Sequence, residues 1–214
     1  MLDALIEESE LPAMELARRV GVSASTASAH LARLVEARLI TVERQGRQRR
    51  YRLAGAPVAA AVEALTAVAP LRPVQSLREA TRAELLRDGR TCYDHLAGRL
   101  GVELTRALIA RRLLRRVDGD YVVGRRGEQT LSELGIDIAC IRREPRRFAF
   151  PCLDWSERRE HLAGALGAAL AARLFALGWV VRVGRGRGAA LTDAGRSELT
   201  ARFGLTLPPQ ERSR

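Results

Sequence analysis

The heptapeptide His95-Leu96-Ala97-Gly98-Arg99-Leu100-Gly101 recurs, with a single replacement, as His161-Leu162-Ala163-Gly164-Ala165-Leu166-Gly167. A segment that returns with its downstream register intact constrains the fold more than any composition can, because both copies must bury the same pattern. Leu108 aligns with Leu174, and Leu113-Leu114 with Trp179-Val180; after a short slip, Gly127 aligns with Gly195 and Leu131 with Leu199. Each copy reads as helix, helix, hairpin (Val117 to Val123; Val180 to Leu191) and a final short helix. A fainter echo, Leu16-Ala17-Arg18-Arg19-Val20-Gly21-Val22 against Leu96 to Val102, ties both to the N-terminal region. The expected class is mainly α with short β-hairpins, built from three related modules.

The first module is the most explicit. Pro12 fits the first turn of a helix whose apolar positions are Leu16, Ala17 and Val20, and Gly21 ends it. Ser23 caps the next helix, in which Ala27, Leu31, Leu34 and Val35 form the buried stripe. Leu39 to Val42 and Arg50 to Leu53 read as two strands around a Gln45-Gly46 turn. Helix, glycine turn, helix and hairpin in that order make a winged helix-turn-helix.

The residue types give this module a purpose. A helix entering the DNA major groove needs small polar side chains at its N-terminal end to reach base edges. With Ala27, Leu31 and Leu34 facing inward, Ser25, Ala29 and Arg33 point outward while Thr26 and Ser28 flank them. Ser25 and Thr26 are the candidates for base edges, with Ser23 at the helix start. Ser28 and Arg33 suit phosphates, and His30 suits either a phosphate or packing. The hairpin carries Arg44, Arg47, Arg49, Arg50 and Arg52 with no acidic residue after Glu43, as a wing lying on phosphates or in the minor groove requires. The whole chain agrees in sign: all 36 basic residues are arginine, against 25 acidic ones, for a net charge of +11. A charge run alone would read as a solvated face; its order after a glycine turn and a Ser/Thr-rich helix start favours double-stranded operator DNA.

The stretch from Leu16-Ala17 through Gly21-Val22-Ser23-Ala24-Ser25-Thr26-Ala27-Ser28-Ala29-His30-Leu31-Ala32-Arg33-Leu34, then Leu39-Ile40 and the arginine-rich hairpin, resembles the winged helix of ArsR-type bacterial repressors. The resemblance spans about residues 1–54. It implies a dimeric, effector-responsive transcriptional repressor, but those proteins are usually shorter and open with a helix near whose expected end Met1 falls here.

Four side chains stand out beyond this module. Cys92 and His95 are three positions apart, on one face if that segment is helical. Cys152 precedes His161 at the matching start of the second repeat. If the repeats pack about a pseudo-twofold axis, the four could converge into a site for a thiophilic metal ion or a metalloid. Against this, the spacing matches no closed zinc signature, and His95 and His161 share a repeat position that a capping or packing role also explains.

Other classes are disfavoured. No P-loop, Gly-x-Gly-x-x-Gly or Gly-x-Ser-x-Gly motif occurs, so an enzyme is not expected. Three widely spaced cysteines make no disulfide framework, and the N-terminus lacks the basic flank and apolar run of a signal peptide, so a cytoplasmic protein without membrane contact is expected. The rivals are a tandem winged-helix interaction scaffold and a non-specific nucleic-acid binder; the 4% aromatic content leaves few stacking platforms for the latter. The expected boundaries are 1–54 for the winged-helix DNA-binding domain, 55–88 for linker and dimerisation helices, 89–138 and 153–207 for the winged-helix-like repeats, 139–152 for a basic connector and 208–214 for a disordered tail.

Overall fold

The computed structural model describes residues 1–8, 10–46, 48–69, 77–184 and 186–207. The expected tail at 208–214 and the wing residue Arg47 lie outside these.

The N-terminal unit comprises α1 (Leu2–Glu7), β1 (Leu11–Pro12), α2 (Ala13–Val20), α3 (Ala24–Glu36), β2 (Ile40–Gln45) and β3 (Gln48–Leu53), with sheet order β1-β3-β2. Pro12 stands just before α2 at its N-cap rather than in its first turn, and pairs with Arg50 of β3. A proline can do this because an edge strand asks nothing of the N–H it lacks. Gly21 takes φ 68° and closes α2 in the left-handed region, where glycine has no Cβ to clash. Leu5, Leu11, Leu16, Leu31, Ile40 and Leu53 form the core of this unit, and Ala59 of α4 (Ala56–Val68) joins it. After α5 (Leu77–Asp88) the chain enters its second half.

There the order hairpin, helix, hairpin, helix occurs twice. The first pass is β4 (Arg90–Cys92), β5 (His95–Ala97), α6 (Gly98–Ala110), β6 (Leu114–Val117), β7 (Asp120–Val123) and α7 (Arg125–Glu133). After the single turn α8 (Ile138–Ile141) comes β8 (Phe150–Leu153), β9 (Glu160–Ala163), α9 (Gly164–Ala176), β10 (Val180–Arg182), β11 (Ala189–Leu191) and α10 (Asp193–Phe203). Each pass therefore opens on an antiparallel hairpin where a helix was expected. Tyr93, at φ 56°, turns the chain back within two residues, and Arg90, Thr91 and Cys92 pair with Ala97, Leu96 and His95. That pairing consumes the backbone groups a helix would have used. Both passes share one core, running from Leu96 to Leu205, so they form one body rather than two separate units. The stretch 139–152 is only partly a connector, since Ile141 and Ala149 are buried in that core.

Three helix-to-strand turns have the same geometry. Arg38, Arg112 and Gly178 have φ of 57°, 58° and 66°. In each, the next residue's N–H reaches back to the last helical turn: Leu39 to the Leu34 carbonyl at 2.9 Å, Leu113 to Leu108 at 2.9 Å and Trp179 to Leu174 at 3.1 Å. This is the six-to-one bond of a Schellman cap.

Candidate nucleic-acid interface and a buried thiol–imidazole cluster

Recognition begins with how α3 is held. Its buried stripe is Ala27 and Leu31, and the small side chain at position 27 lets α3 sit close to α2. Ser23, Ser25, Thr26, Ser28 and Arg33 all lie on the exposed surface, and so does His30, which excludes a core-packing role for that imidazole. Ser23 is already engaged as the N-cap. Its Oγ accepts the Thr26 N–H at 3.1 Å, and it lies 2.9 Å from Ser25 Oγ and 2.8 Å from Thr26 Oγ1. The hydroxyls of Ser25 and Thr26 are thereby pre-arranged at the exposed end of the helix.

The wing's arginines divide into two groups. Arg50 is half-buried and reaches Glu10 at 3.2 Å, bracing the hairpin against the segment before α2. Arg52 pairs with Glu43 and also donates to Thr41 Oγ1 at 3.2 Å. Arg44 and Arg49 instead stand directly opposite each other across the strands, both exposed, with no ion pair among the described residues. Like charges in register repel, an arrangement that an anion lying along the wing would relieve. Arg18 and Arg19 pull the Glu15 carboxyl down to about 2, and Glu8 also pairs with Arg19, so that patch of α2 is internally neutralised.

Comparison with known proteins agrees with this geometry. Residues 1–50 match the MarR family. The chain is 44% identical over 185 residues to the uncharacterized HTH-type transcriptional regulator YdfF of Bacillus subtilis (strain 168), covering 86% of this chain and 82% of that protein. The chain belongs to the helix-turn-helix transcriptional regulators. No solved structure matches it. The family implies DNA binding, and the N-terminal match is to MarR proteins, a winged-helix family, where the residues alone resembled the ArsR type. No described helix of the regulator is long and apolar enough to cross a membrane.

In the regulator's second half, Cys92, His95, Cys152 and His161 converge, with one ligand-type atom from each lying within 4.8 Å of all the others. The arrangement comes from two hairpins rather than from helix faces. Cys92 faces His95 across β4–β5, and Cys152 faces His161 across β8–β9, in the same register. The sulfurs are 4.0 Å apart and unbonded, and the two Nε2 atoms are 3.2 Å apart. Cys92, His95 and His161 are buried and Cys152 is partly so. Cys140, the third thiol, is exposed and stands apart.

Carboxylates stand behind both imidazoles. Asp94 Oδ1 lies 3.2 Å from His95 Nδ1, and Asp154 Oδ2 lies 3.4 Å from His161 Nδ1. Burial works against a charge on either ring, but these acids and the nearby Cys92 outweigh it and raise both imidazoles above their ordinary range. The neighbouring Cys152 sulfur and burial push the Cys92 thiol up to about 12. Asp154, although buried, is held far below the usual carboxylate range, chiefly by His161 and Arg90. Neither this acid nor Arg90 belongs to a motif that marks a buried ion pair in the sequence.

Proposed function

We propose that this regulator is an effector-responsive dimeric repressor that reads an operator with α3 in the major groove and its wing on the flanking backbone. The observation that carries the reading is the exposed hydroxyl row of Ser25, Thr26 and Ser28 on a helix anchored by Ala27 and Leu31. Ser25 and Thr26 take base edges; Ser28, His30 and Arg33 take phosphates on the same strand side. Arg44 and Arg49, facing each other with no ion pair among the described residues, take the neighbouring backbone, and Arg47 adds a positive charge between them in the sequence. Arg50 acts by bracing the wing, since Glu10 already engages it.

The likeness to ArsR-type repressors implies a dimer, and we assign its contact to α4 and α5. Leu65 and Val68 on α4 and Leu77 on α5 are 67%, 76% and 89% exposed. Apolar side chains so open to water favour a partner surface, and a second copy supplies the twofold symmetry that a pseudo-palindromic site demands. Fluorescence anisotropy on promoter fragments tests the reading. Specific duplex should bind more tightly than random duplex, with affinity falling steeply as salt rises. Equal binding to both, or none, would overturn it, and indifference to Ser25 and Thr26 replacement would favour an interaction scaffold.

A further inference from the structure

We infer that Cys92, His95, Cys152 and His161 form a closed, four-coordinate site for a thiophilic divalent cation, with zinc(II) the best fit. This goes beyond the DNA-binding reading and does not depend on it.

Among four donor atoms lying within 4.8 Å of one another, two separations already match a tetrahedron. Zinc–sulfur bonds of about 2.3 Å and zinc–nitrogen bonds of about 2.0–2.1 Å in a tetrahedron set the sulfurs about 3.8 Å and the nitrogens about 3.3 Å apart. The corresponding separations here are 4.0 Å and 3.2 Å.

The hydrogen-bond accounting points the same way. A carboxylate only accepts, so Asp94 orients His95 with its proton on Nδ1, while Asp154 stands 3.4 Å from the buried His161 Nδ1, which makes no hydrogen bond among the described residues. His95 Nε2 then presents a lone pair toward His161 Nε2 at 3.2 Å, a separation that a shared proton or a bridging cation spans. Carboxylate behind imidazole is the outer-shell arrangement that fixes the tautomer of metal-bound histidine. Two thiolates and two neutral imidazoles balance a divalent charge, which makes the occupied site neutral and suited to burial. Soft sulfur with imidazole in a tetrahedral set selects zinc over the hard cations. With all four positions filled by protein, the site is one that ties elements together rather than one that performs catalysis. The elements tied are β4–β5 and β8–β9, one from each pass of the second half.

The test uses the full-length protein, reduced and stripped of metal, titrated with cobalt(II) and separately with zinc(II). Expected are one ion per chain, the visible bands of tetrahedral cobalt with a sulfur-to-metal charge-transfer band, and displacement of cobalt by zinc. Cys152→Ser, at the partly exposed donor, should abolish the charge transfer from its sulfur and weaken binding, while Cys140→Ser should change nothing. Asp94→Asn should weaken binding about 10–100-fold with the ligands intact. Native-state mass and circular dichroism of each apo variant separate misfolding from lost coordination. Absence of uptake by the unaltered protein, uptake that survives Cys92→Ser with Cys152→Ser, or a Cys92–Cys152 disulfide formed in preference to metal binding would overturn the assignment. Operator affinity, measured separately, can fail without touching this result.

Discussion

Arg90 and Asp154 meet at 2.9 Å with neither side chain reaching solvent at all. The pair sits where β4 adjoins the loop after β8, and each partner makes further contacts. Arg90 donates to the Leu86 carbonyl at 2.9 Å and lies 4.6 Å from the centre of the Trp155 ring. Asp154 accepts the Gly98 N–H at 2.7 Å and the Ser156 N–H at 2.9 Å. Asp154→Asn keeps the shape and leaves a guanidinium buried without its counter-charge. The expected loss is about 3–5 kcal/mol in a denaturant titration, against about 1.5–3 kcal/mol for Ser156→Ala, which removes a hydroxyl that accepts from Arg90 at 3.1 Å and donates to Asp154 at 2.7 Å. Equal costs for the two would refute the central role given to the ion pair.

The opposed arginines of the wing predict a trade between stability and binding. Replacing Arg44 or Arg49 with Thr relieves a cross-strand repulsion worth a few tenths of a kcal/mol up to about 1 kcal/mol. It should raise the melting temperature slightly while weakening all duplexes alike. Each replacement should lower the log–log salt slope by about 0.9 if that arginine neutralises one phosphate. Ser25→Ala and Thr26→Ala should instead lose affinity for the operator and leave random duplex unaffected. A sequence-dependent effect of Arg49 would reassign it to base reading.

The left-handed turns make a cheaper prediction. Arg112 holds φ 58° where the equivalent turn after α9 has Gly178. A side chain in that conformation costs roughly 1–2 kcal/mol, and glycine gives back about 0.5–1 kcal/mol of it in chain entropy. Arg112→Gly should therefore stabilise by about 0.5–1 kcal/mol, whereas Gly178→Ala should destabilise. Thermal unfolding of the two variants checks the signs.

Two further glycines fix how the hairpins meet the helices. A Cβ on Gly101 would lie 2.3 Å from the Leu96 carbonyl oxygen, and one on Gly167 would lie 2.5 Å from that of Leu162. The contacts are exchanged between the two passes, since the next neighbours are the Cβ of His161 for Gly101 and that of His95 for Gly167. Alanine is the better helix former by about 1 kcal/mol. Gly101→Ala and Gly167→Ala should nonetheless destabilise, by about 1–3 kcal/mol or more, because backbone and not a pliable side chain is in the way. Gain of stability in either would show that the helix can move aside.

The N-terminal module was legible residue by residue. Gly21, the Ser23 cap and the Ala27-Leu31 stripe are local signals, and each is a finding of the structure. The hairpins at Arg90 and Phe150 were not, because strands this short lack a period and are made by their partners. The convergence of Cys92, His95, Cys152 and His161 was legible only as a condition on packing. Two residues separate Cys92 from His95 and eight separate Cys152 from His161, so linear spacing conceals that both pairs share one cross-strand register. Arg90, Asp154 and the buried ion pair of Glu63 with Arg187 carry no sequence signature at all. A buried charge is recognisable only once its counterpart, far along the chain, is beside it.

That last pair has a mechanical meaning. Arg187 stands in the hairpin joining β10 to β11, and Glu63 in the helix that packs beneath the DNA-reading unit. A rotation of the C-terminal hairpin must either drag that helix with it or strand both charges in a dry seam. The regulator's two halves are geared to each other like meshed teeth, and slippage between them is the costly option.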